Sequence, residues 1–261
     1  MTMQRARRLA STAVVAVLAV AGLTACQQSP DVAVYSAGGK ITQERVQGIY
    51  DQVQDQLVAE RKKAQEQAEA AGTEALPQPV MPFKQQDVLN TLISVDILRK
   101  SAKAHGVQPA AAPTVEQVAQ ARNYSPAWEY TQLFAETYRL RTALQAAVPP
   151  ATLTDADMRD VYTRLVQGGA ADPNIKFEEF SSTLSAENKA LLQSYVSLRT
   201  ELGEIVKNDK LKINPRYGNQ EIVLLSAQGG DGKEVPLVVL RLGDEAGDAY
   251  VTDVSAVTTV A

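Results

Sequence analysis

Apolar residues recur along this chain at the spacing of one helical face, and most of the recurrences open on a residue that caps helices. That pattern limits the fold more than any other feature, because capped amphipathic stripes can be buried only against one another. Thr42 precedes Val46, Ile49, Tyr50, Val53 and Leu57, which make a single stripe on a long helix. From Lys84 to about Ala104, Val88, Leu92 and Val95 stand beside Leu89, Ile93, Ile97 and Leu98. So broad an apolar face belongs at the centre of a fold, and Gly106 closes the helix just after His105. Thr114-Val115-Glu116-Gln117 is a capping box for a short helix. Ser125 reads as an N-cap with Pro126 at the first position of a helix carrying Trp128, Tyr130, Phe134 and Tyr138, which stops before Pro149-Pro150. Thr154-Asp155-Ala156-Asp157 opens another, with Met158, Val161, Tyr162 and Leu165 on one face and Gly168-Gly169 at its end. Ser185 opens the last, marked by Leu191, Tyr195, Leu198, Leu202 and Ile205.

Strand signals lie at the two ends of this helical series. "VAVYSAGGKIT" places Val32 and Val34 on one face and a Gly38-Gly39 turn behind them. "LKINPRYG" leaves the last helix as a strand and turn, and "EIVLL" and "EVPLVVLRL", joined by "SAQGGDGK", read as a hairpin. Past Leu57 the stripe stops, and "AERKKAQEQAEAAGTEALPQPVMP" reads as a solvated helix extension running into a loop. The expected class is therefore mostly α with a little β. The helical body spans 32–218, a C-terminal β-hairpin spans 219–250, and a loose tail spans 251–261.

The N-terminus carries a different kind of signal. Arg5, Arg7 and Arg8 precede the apolar run "LASTAVVAVLAVAG", the layout of a signal peptide over 1–25. The run is short and rich in small residues for a membrane span, which disfavours a transmembrane anchor. It ends in Leu23-Thr24-Ala25-Cys26, an aliphatic residue and two small ones before the only cysteine. This resembles a bacterial lipobox. The resemblance implies cleavage before Cys26, guided by Leu23, Thr24 and Ala25, and a diacylglycerol on the Cys26 thiol, with 26–31 a short tether. The expected location is the extracytoplasmic face of the cell membrane. With no second cysteine to pair, stability must come from packing. The net charge is −4, and losing the three signal-segment arginines takes it to −7. An acidic body with no basic cluster in its sequence argues against nucleic acid as a partner and against electrostatic attachment to anionic lipid.

Candidate chemistry is sparse. The sequence has no Cys/His cluster for zinc or other metal and no phosphate-binding glycine loop, so neither a catalytic residue nor a cofactor is expected. His105, the one histidine, sits at a helix end where the macrodipole favours it. Asp155 and Asp157 read as helix-start acids, and "GGDGK" as a hairpin turn. The aromatic set Trp128, Tyr130, Phe134 and Tyr138, and the pair Met81 and Phe83, could be core or a polypeptide-binding surface. Trp128 and Tyr130 lie about 200° apart on an ideal helix, so one of them should face away from whatever the other packs on.

The order of these pieces is recognisable. "GGKIT" before a long helix, "AKAHGV", "PTVEQVAQA", "LTDADMRDVY" and a terminal helix running into "LKINPRYG" resemble the chaperone module of SurA/PrsA-type extracytoplasmic foldases, particularly actinobacterial lipoproteins. The resemblance covers about Val32 to Gly218. It implies a SurA N-terminal-domain-like helical fold in which the first strand pairs with the strand after the last helix. It also implies binding of unfolded or secreted polypeptides. Many relatives insert a parvulin isomerase domain before the last helix. Here Gly168 to Ser185 is under twenty residues, far too short for one. The implied function is an ATP-independent holdase without prolyl isomerase activity, or an adapter reusing the fold for one dedicated partner.

Overall fold

The computed structural model describes residues 31–73 and 77–242. The chain is mostly helical, with a small antiparallel sheet formed by strands from both ends of the helical series. Strand β1 (Val32–Ser36) turns at Ala37-Gly38 into β2 (Gly39–Thr42), and on its other side pairs with β3 (Lys212–Ile213). Val34 faces Ile213, and Tyr35 faces Lys212. Asn214, just past β3, acts as a clamp. Its backbone N–H donates to the Ala33 carbonyl at 2.9 Å and its side-chain amide to the Val32 carbonyl at 3.0 Å. Its side-chain oxygen accepts from the Arg216 N–H at 3.2 Å, opening the Pro215–Tyr217 turn.

Between the strands run α1 (Gln43–Ala70), α2 (Gln85–His105), α3 (Val115–Arg122), α4 (Glu129–Ala147), α5 (Asp155–Gln167), α6 (Phe177–Thr183) and α7 (Ala186–Asn208). The expected caps are made by Thr42, Thr114, Thr154 and Ser185, whose hydroxyls accept from the N–H three residues on. Gly106 ends α2 at φ 65°, a left-handed position that favours glycine. The central position expected for α2 is observed. It packs against α1, α4 and α7, and Val88, Leu89, Ile93 and Ile97 are fully buried with Leu198 and Leu202 of α7. Among the described residues no helix is long and apolar enough to cross a membrane.

Two expectations are corrected. The Ser125 hydroxyl accepts from the Ala127 N–H and its carbonyl from the Trp128 N–H, closing a turn, and α4 begins only at Glu129 with Trp128 at the N-cap. Pro126 suits the second position of such a turn as well as a first helical turn, so the sequence reads both ways. Helix α6 lies in the interval between Gly169 and Ser185, to which the sequence reading assigns no element. It is short and has no side-chain cap, and its Phe177 and Phe180 rings lie 6.0 and 5.3 Å from Tyr162. On α7 the buried stripe runs through Leu192, Val196, Leu202 and Val206, leaving Leu191 exposed.

The hairpin forms over 220–242. Strands β4 (Gln220–Gln228) and β5 (Glu234–Leu242) make a sheet of their own, and their Ile222, Leu224, Val238, Leu240 and Leu242 belong to the same core as the helices. The unit 219–250 is thus packed into the body as far as Leu242. Strand β5 lies against α5 and α7, and the contact is close. A Cβ on Gly168 would meet the Val235 side chain at 2.2 Å, and one on Gly229 would meet the Gly168 carbonyl at 2.6 Å.

Candidate functional site

The aromatic residues converge on Phe83, which the loop after α1 delivers to the N-terminal end of α2. Tyr130 stacks on it with centroids 3.9 Å apart. Tyr124 and Trp128 pack edgewise at 5.8 and 6.3 Å, and Tyr50 of α1 closes the cluster at 6.3 Å. Because Trp128 precedes α4, the helical angle between it and Tyr130 does not apply, and both are buried, as is Phe83. These three are core. The surface expectation for the set therefore passes to Met81, Phe134 and Tyr138, which are half-buried. Phe134 stacks on Tyr130 at 5.8 Å and Tyr138 meets Phe134 at 5.2 Å, so the α4 residues at four-residue spacing form one continuous row out of the core.

That row is one wall of a cleft of about 520 Å³. The opposite wall is β4, from Glu221 to Ser226, with Tyr195 of α7 beside it, and α2 forms the floor. The floor is polar: Asp87, Asn90, Thr91 and Ser94 recur at helical spacing. Thr91 and Ser94 donate to carbonyls of their own helix at 2.8 and 2.6 Å, and Asp87 accepts from the Lys84 N–H at 2.7 Å. Asn90 Oδ1 is buried with no hydrogen-bond partner, an acceptor facing no donor of the protein. Burial in this setting raises the Tyr130 phenol pKa, with the Thr91 hydroxyl working weakly against it.

Two arginines set the rim. Arg122 donates to the Tyr138 hydroxyl at 3.1 Å, pairs with Glu234 at 3.1 Å and lies 5.5 Å over the Phe134 ring. Burial disfavours its charge, but Tyr138 and Glu234 outweigh that and raise its pKa. Arg141 lies 4.6 Å over Tyr138 and donates to the Val223 carbonyl at 3.1 Å, occupying the side of β4 that β5 does not. Glu221 is paired with Arg241 at 2.8 Å. The charges at the rim are therefore largely matched, leaving a near-neutral, aromatic-walled space. A second cleft of about 840 Å³, along α3 and Pro113, shares Arg122, Tyr138 and Glu234 with the first.

Elsewhere the expected chemistry resolves into structure. His105 Nε2 lies 3.1 Å from Glu201, and the fully buried Ser101 hydroxyl donates to the same carboxylate at 3.3 Å, so the serine addresses the acid and not the imidazole. Asp157 completes the Thr154 capping box and pairs with Arg199 at 2.6 Å. Asp231 of the "GGDGK" turn is bonded to Lys233. No group of three His, Cys, Asp or Glu residues among the described residues could hold a metal ion. Leu23, Thr24, Ala25 and Cys26, the expected lipobox, lie outside the described residues. The polar floor and the β4 wall were missed by sequence reasoning. The spacing of Asp87, Asn90, Thr91 and Ser94 signals the first, and nothing local signals the second.

No family model matches the chain, and no curated protein or solved structure matches it.

Proposed function

We propose that this chain is a membrane-anchored, ATP-independent extracytoplasmic holdase that receives unfolded secreted polypeptides in the cleft between α4 and β4. The cleft is the observation that carries the proposal. Aromatic walls supply apolar contact without demanding one side-chain shape, and matched rim charges avoid excluding either sign of client. The polar side chains along the α2 floor offer hydrogen-bonding groups to client backbone that would otherwise be buried unpaired. The lipid on Cys26 holds this surface where chains leave the membrane. No cofactor takes part, and no isomerase activity is proposed.

The test uses the chain from Gln27 to Ala261 at equimolar amounts with an aggregating unfolded protein, without ATP, against an albumin control matched by mass. Suppression above the control that is weakened by Phe134→Ala or Tyr138→Ala, with folding intact, supports the holdase. A folded sample that suppresses nothing sinks it.

One observation favours a second reading, an adapter for a single partner. Phe83, Trp128 and Tyr130 are locked in the core, so the half-exposed aromatic surface is small and fixed in shape. In that case crosslinking from cells returns one stoichiometric partner.

A further inference from the structure

We propose that the outer face of the three-stranded sheet is a docking surface for anionic phospholipid headgroups. The pairing register carries this inference. Tyr35 of β1 stands opposite Lys40 of β2 on one side and Lys212 of β3 on the other. Directly opposed residues share a face, so the three form one row across the sheet, with the lysine backbones roughly 10 Å apart. The neighbouring row, Val34, Ile41 and Ile213, faces the core, so the lysine row faces out. Lys40 and Lys212 are exposed, and neither is in an ion pair among the described residues. Lys210, also exposed and in no ion pair among the described residues, lies two residues before the row, and exposed Arg216 lies beyond β3. Asp209 is paired with Lys100, which Asp96 of α2 shares. Asp31, at the start of β1, and Glu44, in the first turn of α1, are the nearest free acids in sequence to the sheet.

The occupant is set by charge and by where the rest of the chain attaches. The described structure starts at Asp31, five residues after Cys26, a span of roughly 17 Å when extended. The row is only four residues further, roughly 13 Å along β1. A body of net charge −7 is repelled by an anionic bilayer as a whole. A cationic face beside the tether therefore selects one orientation, with Tyr35 at headgroup level between the lysines. Lys40 and Lys212 are far apart in sequence, which is why no basic cluster is visible there.

This inference rests on the anchor at Cys26, and its test separates the two. The chain from Cys26 onward is coupled through its single thiol to maleimide-bearing lipid, so the geometry is imposed whether or not cells lipidate the cysteine. Lysine acetylation is then compared by mass spectrometry on phosphatidylglycerol-containing and phosphatidylcholine-only vesicles. One lysine near an anionic surface corresponds to about a fivefold preference, so acetylation of Lys40 and Lys212 is expected to slow about fivefold on the anionic vesicles. High salt should abolish the difference, and Lys189, at the far end of α7, should be unaffected. Lys40→Glu with Lys212→Glu should remove the protection of Lys210 without altering the fold. Equal rates at Lys40 and Lys212 on the two vesicle types would overturn the proposal. The mass of Cys26 from cells tests the anchor independently.

Discussion

Phe83 and Tyr138 stand at opposite ends of one aromatic row, and truncating each should do different things. Phe83→Ala empties a site packed by Tyr50, Tyr124, Trp128 and Tyr130, and is expected to cost about 3–5 kcal/mol in denaturant unfolding. Tyr138→Ala at the half-exposed end should cost only about 1 kcal/mol, while reducing aggregation suppression. Asp157 gives a residue-scale pH effect. Burial opposes its charge, but Thr154 and Arg199 outweigh burial and hold its pKa below the ordinary carboxylate value. The stabilisation is therefore complete above the ordinary pKa of about 4 and is lost as pH falls through the lowered folded value. Unfolding of Asp157→Asn measured between neutral and acid pH should show a shallower acid loss than wild type. The aromatic residues themselves were legible in the sequence, but their burial was not. Whether Trp128 and Tyr130 share an environment depends on where α4 starts, and Pro126 leaves that open.

At the scale of elements, helices with side-chain caps and long stripes were readable because both signals are local. Helix α6 has neither, and exists because Phe177 and Phe180 find Tyr162 and because Arg159 lies 3.9 Å over Phe177. The hairpin's strands were readable, but its packing was not, because nothing near Gly168 announces that Val235 will press against it. Gly168 has φ −84°, which any residue adopts, so Gly168→Ala isolates the steric effect. Overpacking of this kind costs about 1–3 kcal/mol. Thermal unfolding should shift down accordingly, with faster hydrogen exchange along β5 and little change in α1. By contrast, Thr154→Ala should cost about 1 kcal/mol as a lost cap and leave β5 exchange unchanged.

For the whole molecule, the mostly helical class followed from the stripes, and the strand-to-strand closure followed from the resemblance in motif order. The cleft was not legible, since α2, α4 and β4 are brought together only by tertiary packing. Nor was the cationic face: net charge is a sum over the chain, whereas docking depends on which charges share a surface.

The pairing of Val34 with Ile213 also sets an order of events. If the chain is exported amino end first, as the proposed function requires, β1 would emerge at the outset and its partner strand only after every helix. The loop that must close spans nearly the whole body, so this contact contributes to a high contact order and forms late. Until then the apolar face of β1 would lack its final neighbour. Asn214→Ala, which removes the side-chain half of the clamp on Val32, should therefore keep helical circular dichroism while weakening exchange protection in β1. This protein would itself spend its first moments outside the cytoplasm as an unfinished secreted chain.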